Sequence, residues 1–196
     1  MSIFLRLKHW QLFLLLIGIP LIFQFVIMGS VILSNNTNIM MTVFPIMMFL
    51  LLAIFFGWFY ALGTNLHKKL PIFAPMNLKT FKIFMFIPVA YIVTICLFML
   101  VALPDLADSG QESFAYFAII FPIHIFSMFC IFYCLYFISK AMKTLEWQKQ
   151  VTFSDYAGEF FLIWFFPIGV WFIQPRINKI FETEKENIES FGSELP

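Results

Sequence analysis

The sequence predicts an all-α integral membrane protein: a polytopic bundle of four full transmembrane helices. A short segment broken by proline and glycine follows them, as a re-entrant piece or a fifth crossing. Two observations lead there. Hydrophobic residues make up 62% of the 196 residues and charged ones only 12%, against roughly 45–50% and 25% in ordinary soluble proteins. A water-soluble fold of this size has too little interior to hide that many apolar side chains. The lysines and arginines also fall in alternate loops, as they do when a chain threads a bilayer with its basic side in the cytoplasm.

Four apolar runs, at about residues 10–33, 42–62, 81–103 and 114–138, reach the roughly 20 helical residues that a hydrocarbon core of about 30 Å requires. Gln24 is the clear polar interruption of the first, and His124 the one titratable group near the start of the fourth. A charge at mid-helix costs about 2.5–3.5 kcal/mol, so clean runs carry weight. The first run follows Arg6 and Lys8 but is longer than a signal-peptide core and lacks a clear small-residue cleavage site. It reads as a retained signal anchor.

The last apolar stretch, FFLIWFFPIGVWFI at 160–173, has 14 residues with Pro167 and Gly169 inside it. That length suits a re-entrant or interfacial segment better than a crossing, and proline bends or breaks a helix. With its flank it occupies 157–174 and closes a transmembrane domain of residues 1–174. Residues 175–196 then form a cytoplasmic amphipathic tail. Pro175 is expected at the first helical position there, and Ile177, Ile180, Phe181, Ile188 and Phe191 form an apolar stripe that Glu184 interrupts.

Orientation comes from charge. Arg6, Lys8, Lys68, Lys69, Lys79, Lys82, Lys140, Lys143 and Lys149 lie on one side, while the loops at 34–41 and 104–113 carry no base. The N-terminus is therefore expected in the cytoplasm. Arg176, Lys179 and Lys185 join the same side only if residues 157–174 turn back, so the C-terminus is expected there too. The setting expected is the inner membrane of a bacterium. Asn35-Asn36-Thr37 matches a glycosylation sequon but lies too close to the membrane to count.

Between spans the sequence is sparse. Pro71 and Pro75 predict a turn or extended path rather than a folded module. Lys143, Glu146, Lys149 and Gln150 recur at helical spacing in an interfacial stretch at 139–159. Thr152 and Asp155, three apart, predict a helix start near 153, with aspartate in the place usually held by glutamate.

Few residues offer chemistry. His124, Ser127 and Cys134 fall within about 80° of azimuth on one helix, with Cys130 on the adjoining flank. A metal site or proton relay is conceivable there, but His124 and Cys134 are about 15 Å apart along the axis. The more economical reading is a neutral histidine beside cysteines that fill space. Asp155, Glu159 and Arg176 could meet at the cytoplasmic interface if the short segment doubles back, as a structural lock or a head-group contact. Ala53, Gly57 and Ala61, spaced by four, form a small-residue stripe suited to close helix packing, within the chain or in a homo-oligomer. No nucleotide loop, zinc-protease or serine-hydrolase motif occurs, and no cofactor or metal is called for. A net charge of +1 offers no nucleic-acid surface. The partners expected are membrane lipids and, through Ala53, Gly57 and Ala61, another membrane protein or a second copy of the chain. The function placed first is a structural or accessory component of a membrane assembly, without catalysis of its own. A small oligomeric transporter or channel and an interfacial lipid-modifying enzyme are the alternatives.

Overall fold

The computed structural model describes residues 3–34, 38–101 and 114–193, and every regular element among them is a helix. A 3-10 turn (Ile3–Leu5) leads into α1 (His9–Phe13), a π-helical turn (Leu14–Gly18) and α2 (Ile19–Ser34). After these come α3 (Asn38–Lys69), α4 (Leu78–Val101), α5 (Phe114–Trp147), α6 (Phe153–Trp164) and α7 (Phe166–Ser193). Among the described residues four stretches are long and apolar enough to cross a membrane: His9–Leu33, Ile46–Lys69, Leu78–Phe98 and Ala118–Trp147. The fold is all-α, with long apolar helices consistent with a membrane-spanning bundle. The sequon and the acidic loop at 104–113 lie outside the described residues, as do the side chains of Glu184, Ile188 and Phe191.

Proline placement explains the irregular points. Pro20 lacks an amide hydrogen, and in an α-helix its ring would press on the carbonyl four residues back, that of Leu16. The π turn widens the helix across that point. Pro167 sits in the first turn of α7, where a missing N–H costs nothing. Helix α7 has therefore already begun when the chain reaches Pro175. That proline lies inside the helix and not at its first position as expected.

The fourth helix also runs past its expected end. Residues 139–147 carry no glycine or proline but do contain Ala141, Met142, Leu145 and Glu146, all good helix formers. The helix continues to Trp147, so Lys140, Lys143 and Glu146 belong to it and not to a separate interfacial segment. It ends where Gln148 turns left-handed at φ 51°, its backbone amide donating to the Thr144 carbonyl and its side-chain Nε2 to that of Leu145.

The chain forms two compact units. One comprises Met1–Leu14, Trp58–Leu78 and Leu135–Pro196. Its core includes Leu12, Trp58, Phe59, Phe137, Ile163 and Ile173, all essentially inaccessible. Gln174, fully buried, accepts from the Trp58 indole at 3.2 Å and donates to the carbonyls of Phe4 and Leu7 at 3.0 and 2.9 Å. The loop after α3 makes the expected turn, with the Ala74 amide on the Pro71 carbonyl. His67 and Gln150 hold it through the carbonyls of Met76 and Phe73. In the same unit α6 and α7 form a tight hairpin about Phe165. Gly169 approaches so closely that a Cβ there would stand 1.6 Å from the Leu162 carbonyl oxygen.

The other unit comprises Leu15–Gly57 and Lys79–Cys134. Phe84 meets Tyr133 edge-on at 4.7 Å, and the Cys134 thiol lies 4.0 Å from the Phe81 carbonyl. Between α2 and α3 lies an apolar groove of about 250 Å³, lined among others by Leu16, Pro20, Gln24, Met47 and Leu51.

The two helical glycines of the hairpin should answer oppositely to alanine. Gly158 has nothing within 4 Å of a new Cβ, so Gly158→Ala should raise stability by about 0.5–1 kcal/mol. Gly169→Ala should instead lower it, because the group in the way is backbone. Thermal unfolding of both variants in detergent checks the contrast.

Candidate functional site

The site is built on three helix segments of the first unit. Helix α6 begins as expected at Phe153. The Asp155 carboxylate accepts the Thr152 amide at 2.7 Å and its hydroxyl at 2.9 Å. The first of these bonds satisfies one backbone donor at the start of the helix, the Thr152 N–H. One turn on, Glu159 is carried into the interior, 5% exposed.

A carboxylate so placed needs cationic partners. Lys143 of α5 approaches Glu159 Oε1 at 2.9 Å, and Arg176 Nη2 of α7 reaches the same oxygen at 2.7 Å. The arginine fork also engages Glu146 of α5, with Nε to Oε1 at 2.6 Å and Nη2 to Oε2. Two acids and two bases thus alternate, Lys143–Glu159–Arg176–Glu146, with charges balanced. The ammonium groups of Lys143 and Lys149 each lie 4.4 Å from the Trp147 ring centre, a favourable place for a cation.

The environment sets the protonation states. Burial pushes the Glu159 carboxyl up, but hydrogen bonds from Lys143 and Arg176 outweigh it and hold the group below its usual value. Burial likewise works against the charged guanidinium of Arg176, and Glu146 and Glu159 reverse that effect, leaving its pKa raised. The Thr152 amide leads the contacts that lower Asp155. Both members of the Glu159–Arg176 pair therefore stay charged near neutrality.

The structure brings together only part of the residue set singled out in the sequence. Glu159 and Arg176 meet directly. Asp155 is engaged at the start of α6. His124 is exposed, with Nδ1 3.2 Å from the Tyr91 hydroxyl, whereas Ser127, Cys130 and Cys134 are buried. His124 and Cys134 lie within about 80° of azimuth but not in one environment. Among the described residues no three His, Cys, Asp or Glu side chains gather as a metal site would require. Along the small-residue stripe, Ala53 is exposed, Gly57 half-buried and Ala61 buried.

No family model, curated protein or solved structure matches this chain. Its function has to be read from the geometry.

Sequence reasoning missed Lys143 and Glu146 as members of the cluster, although their helical spacing was visible. It passed over Gln174 entirely. The available signal was a lone amide between Ile173 and Pro175, at the end of an apolar run.

Glu159→Gln leaves the largely buried Lys143 ammonium without its carboxylate while Arg176 keeps Glu146, so it should cost about 1–3 kcal/mol of stability near pH 7. Because folding depresses the Glu159 pKa, its contribution is present above the unfolded glutamate value of about 4.3 and is lost as pH falls through the lower, folded one. The stability gap between wild type and Glu159→Gln should therefore narrow on acidification. Unfolding midpoints from pH 7 downward measure it.

Proposed function

We propose that this chain is a non-catalytic accessory component of a membrane assembly. The observation that carries this reading is that the charged cluster closes on itself. Glu159, Arg176, Lys143 and Glu146 take one another as partners across three helix segments. Asp155 serves the start of α6 and His124 pairs with Tyr91. The polar groups best suited to act on a substrate thus have structural partners in the folded chain.

In this reading the four apolar helices cross the bilayer, and residues 157–174 turn back without crossing. The two antiparallel arms of the α6–α7 hairpin support that arrangement, and so does the charge pattern, since only this topology leaves all twelve lysines and arginines on the cytoplasmic side. The membrane is a bacterial inner membrane. Ala53, exposed beside half-buried Gly57, supports a packing contact for a neighbouring membrane helix.

Two measurements test the reading. Reporters active only in the cytoplasm or only after export, fused after Pro196 and within residues 34–41 and 104–113, should give a cytoplasmic signal at Pro196 and exported signals in both loops. Gentle detergent extraction should recover the chain within a larger complex. Recovery solely as a monomer that turns over a lipid or passes a solute would overturn the proposal.

A further inference from the structure

Around the turn between α6 and α7, Phe161, Trp164, Phe165, Ile168 and Phe172 are all exposed. The rings of Phe161, Trp164 and Phe165 stack in a row at 6.3 and 6.2 Å, and exposed apolar surface of this kind marks a face meant for another phase or another molecule. Its placement within the first unit says which. Along α7 the Gln174 amide bonds the carbonyls of Phe4 and Leu7. One turn nearer the hairpin tip, Trp171 packs on His9 at 4.8 Å and Phe13 at 5.5 Å. Moving along α7 toward its start therefore tracks the N-terminal chain into its first apolar stretch, which begins at His9. The tip points the way that stretch enters the bilayer.

The charges at the hairpin's base set the depth. The Lys143–Glu159–Arg176–Glu146 cluster belongs at or above head-group level, because charges are costly in hydrocarbon. Phe165 lies six residues beyond Glu159, about 9 Å at 1.5 Å per residue. That is the reach of an interfacial helix, whose apolar face sinks about 5–10 Å past the head groups, and well short of the roughly 30 Å of a full core.

We propose that the α6–α7 hairpin is a lipid anchor that enters one leaflet only, on the basic side. Trp164, Phe165 and Ile168 lie among the acyl chains, and the ion cluster holds the hairpin's base at the head groups. This rests on the membrane-spanning reading above but not on the accessory role.

Nitroxide labels on the full-length protein in phosphatidylcholine vesicles test it. The native cysteines Cys96, Cys130 and Cys134 are buried, and unlabelled-site background is taken from wild type. Labels go at Ile168→Cys and Phe165→Cys on the tip, at Phe25→Cys on the exposed flank of the first apolar stretch, and at Gln150→Cys outside it. Collision with oxygen, which concentrates in lipid, is compared with collision with a polar nickel chelate. Oxygen should dominate at positions 25, 165 and 168, and the chelate at 150. Chelate access at 165 and 168 with oxygen dominance kept at 25 overturns the anchor and spares the membrane-spanning reading. Chelate access at 25 as well overturns both. Shielding of 165 and 168 from both reagents means that protein covers the tip, and it also overturns the anchor.

Discussion

The buried carboxylate of Glu159 dictates how the helices of its unit must meet. Once α6 carries it out of water, two cations have to arrive from outside α6, because that helix has none to offer. Helix α5 supplies Lys143 and α7 supplies Arg176. Glu146 then completes the arginine's second hydrogen-bonding face. An ion cluster of this kind adds little net stability over a well-packed apolar replacement. Its value lies in discrimination: sliding α7 by one turn would strand a charge on each side. The close approach of Gly169 to Leu162 enforces the same register by steric means.

This division of labour separates two kinds of surface. Glu159 and Gln174 are turned inward and satisfied, the first by Lys143 and Arg176 and the second by Trp58, Phe4 and Leu7. Large apolar groups, including Phe25, Ile32, Phe129 and Ile168, are turned outward. In water that arrangement would be an aggregation hazard. In lipid it is the low-energy one, since the bilayer demands that backbone and polar side chains find partners inside the protein. A chain so organised is equipped to hold its shape in a membrane and to meet lipid or other helices.

What could be read from the sequence follows the range of the forces involved. The four long apolar helices were legible because the bilayer imposes a length that a run of residues either reaches or does not. The start of α6 was legible because Thr152 and Asp155 are three residues apart, and the turn after α3 because Pro71 acts locally. The pairing of Glu159 with Arg176 could be anticipated only on the condition that the segment doubles back. Lys143 and Glu146 were overlooked as partners because helical spacing shows which face a residue occupies, not what covers that face. The same limit applies to His124, which lies within about 80° of Cys134 in azimuth while its neighbour is Tyr91. Pro175 was misplaced because its effect depends on where the helix began, and a break ten residues earlier decided that.

Gln174 has a consequence for how the protein comes into being. Its bonds to the carbonyls of Phe4 and Leu7 close loops of 170 and 167 residues. Closing such loops is entropically expensive and slow. During synthesis, the carbonyls of Phe4 and Leu7 must wait until Gln174 has emerged before they find their donor. Assembly of this unit therefore waits for α7, which locks the stretch around Phe4 and Leu7 in place.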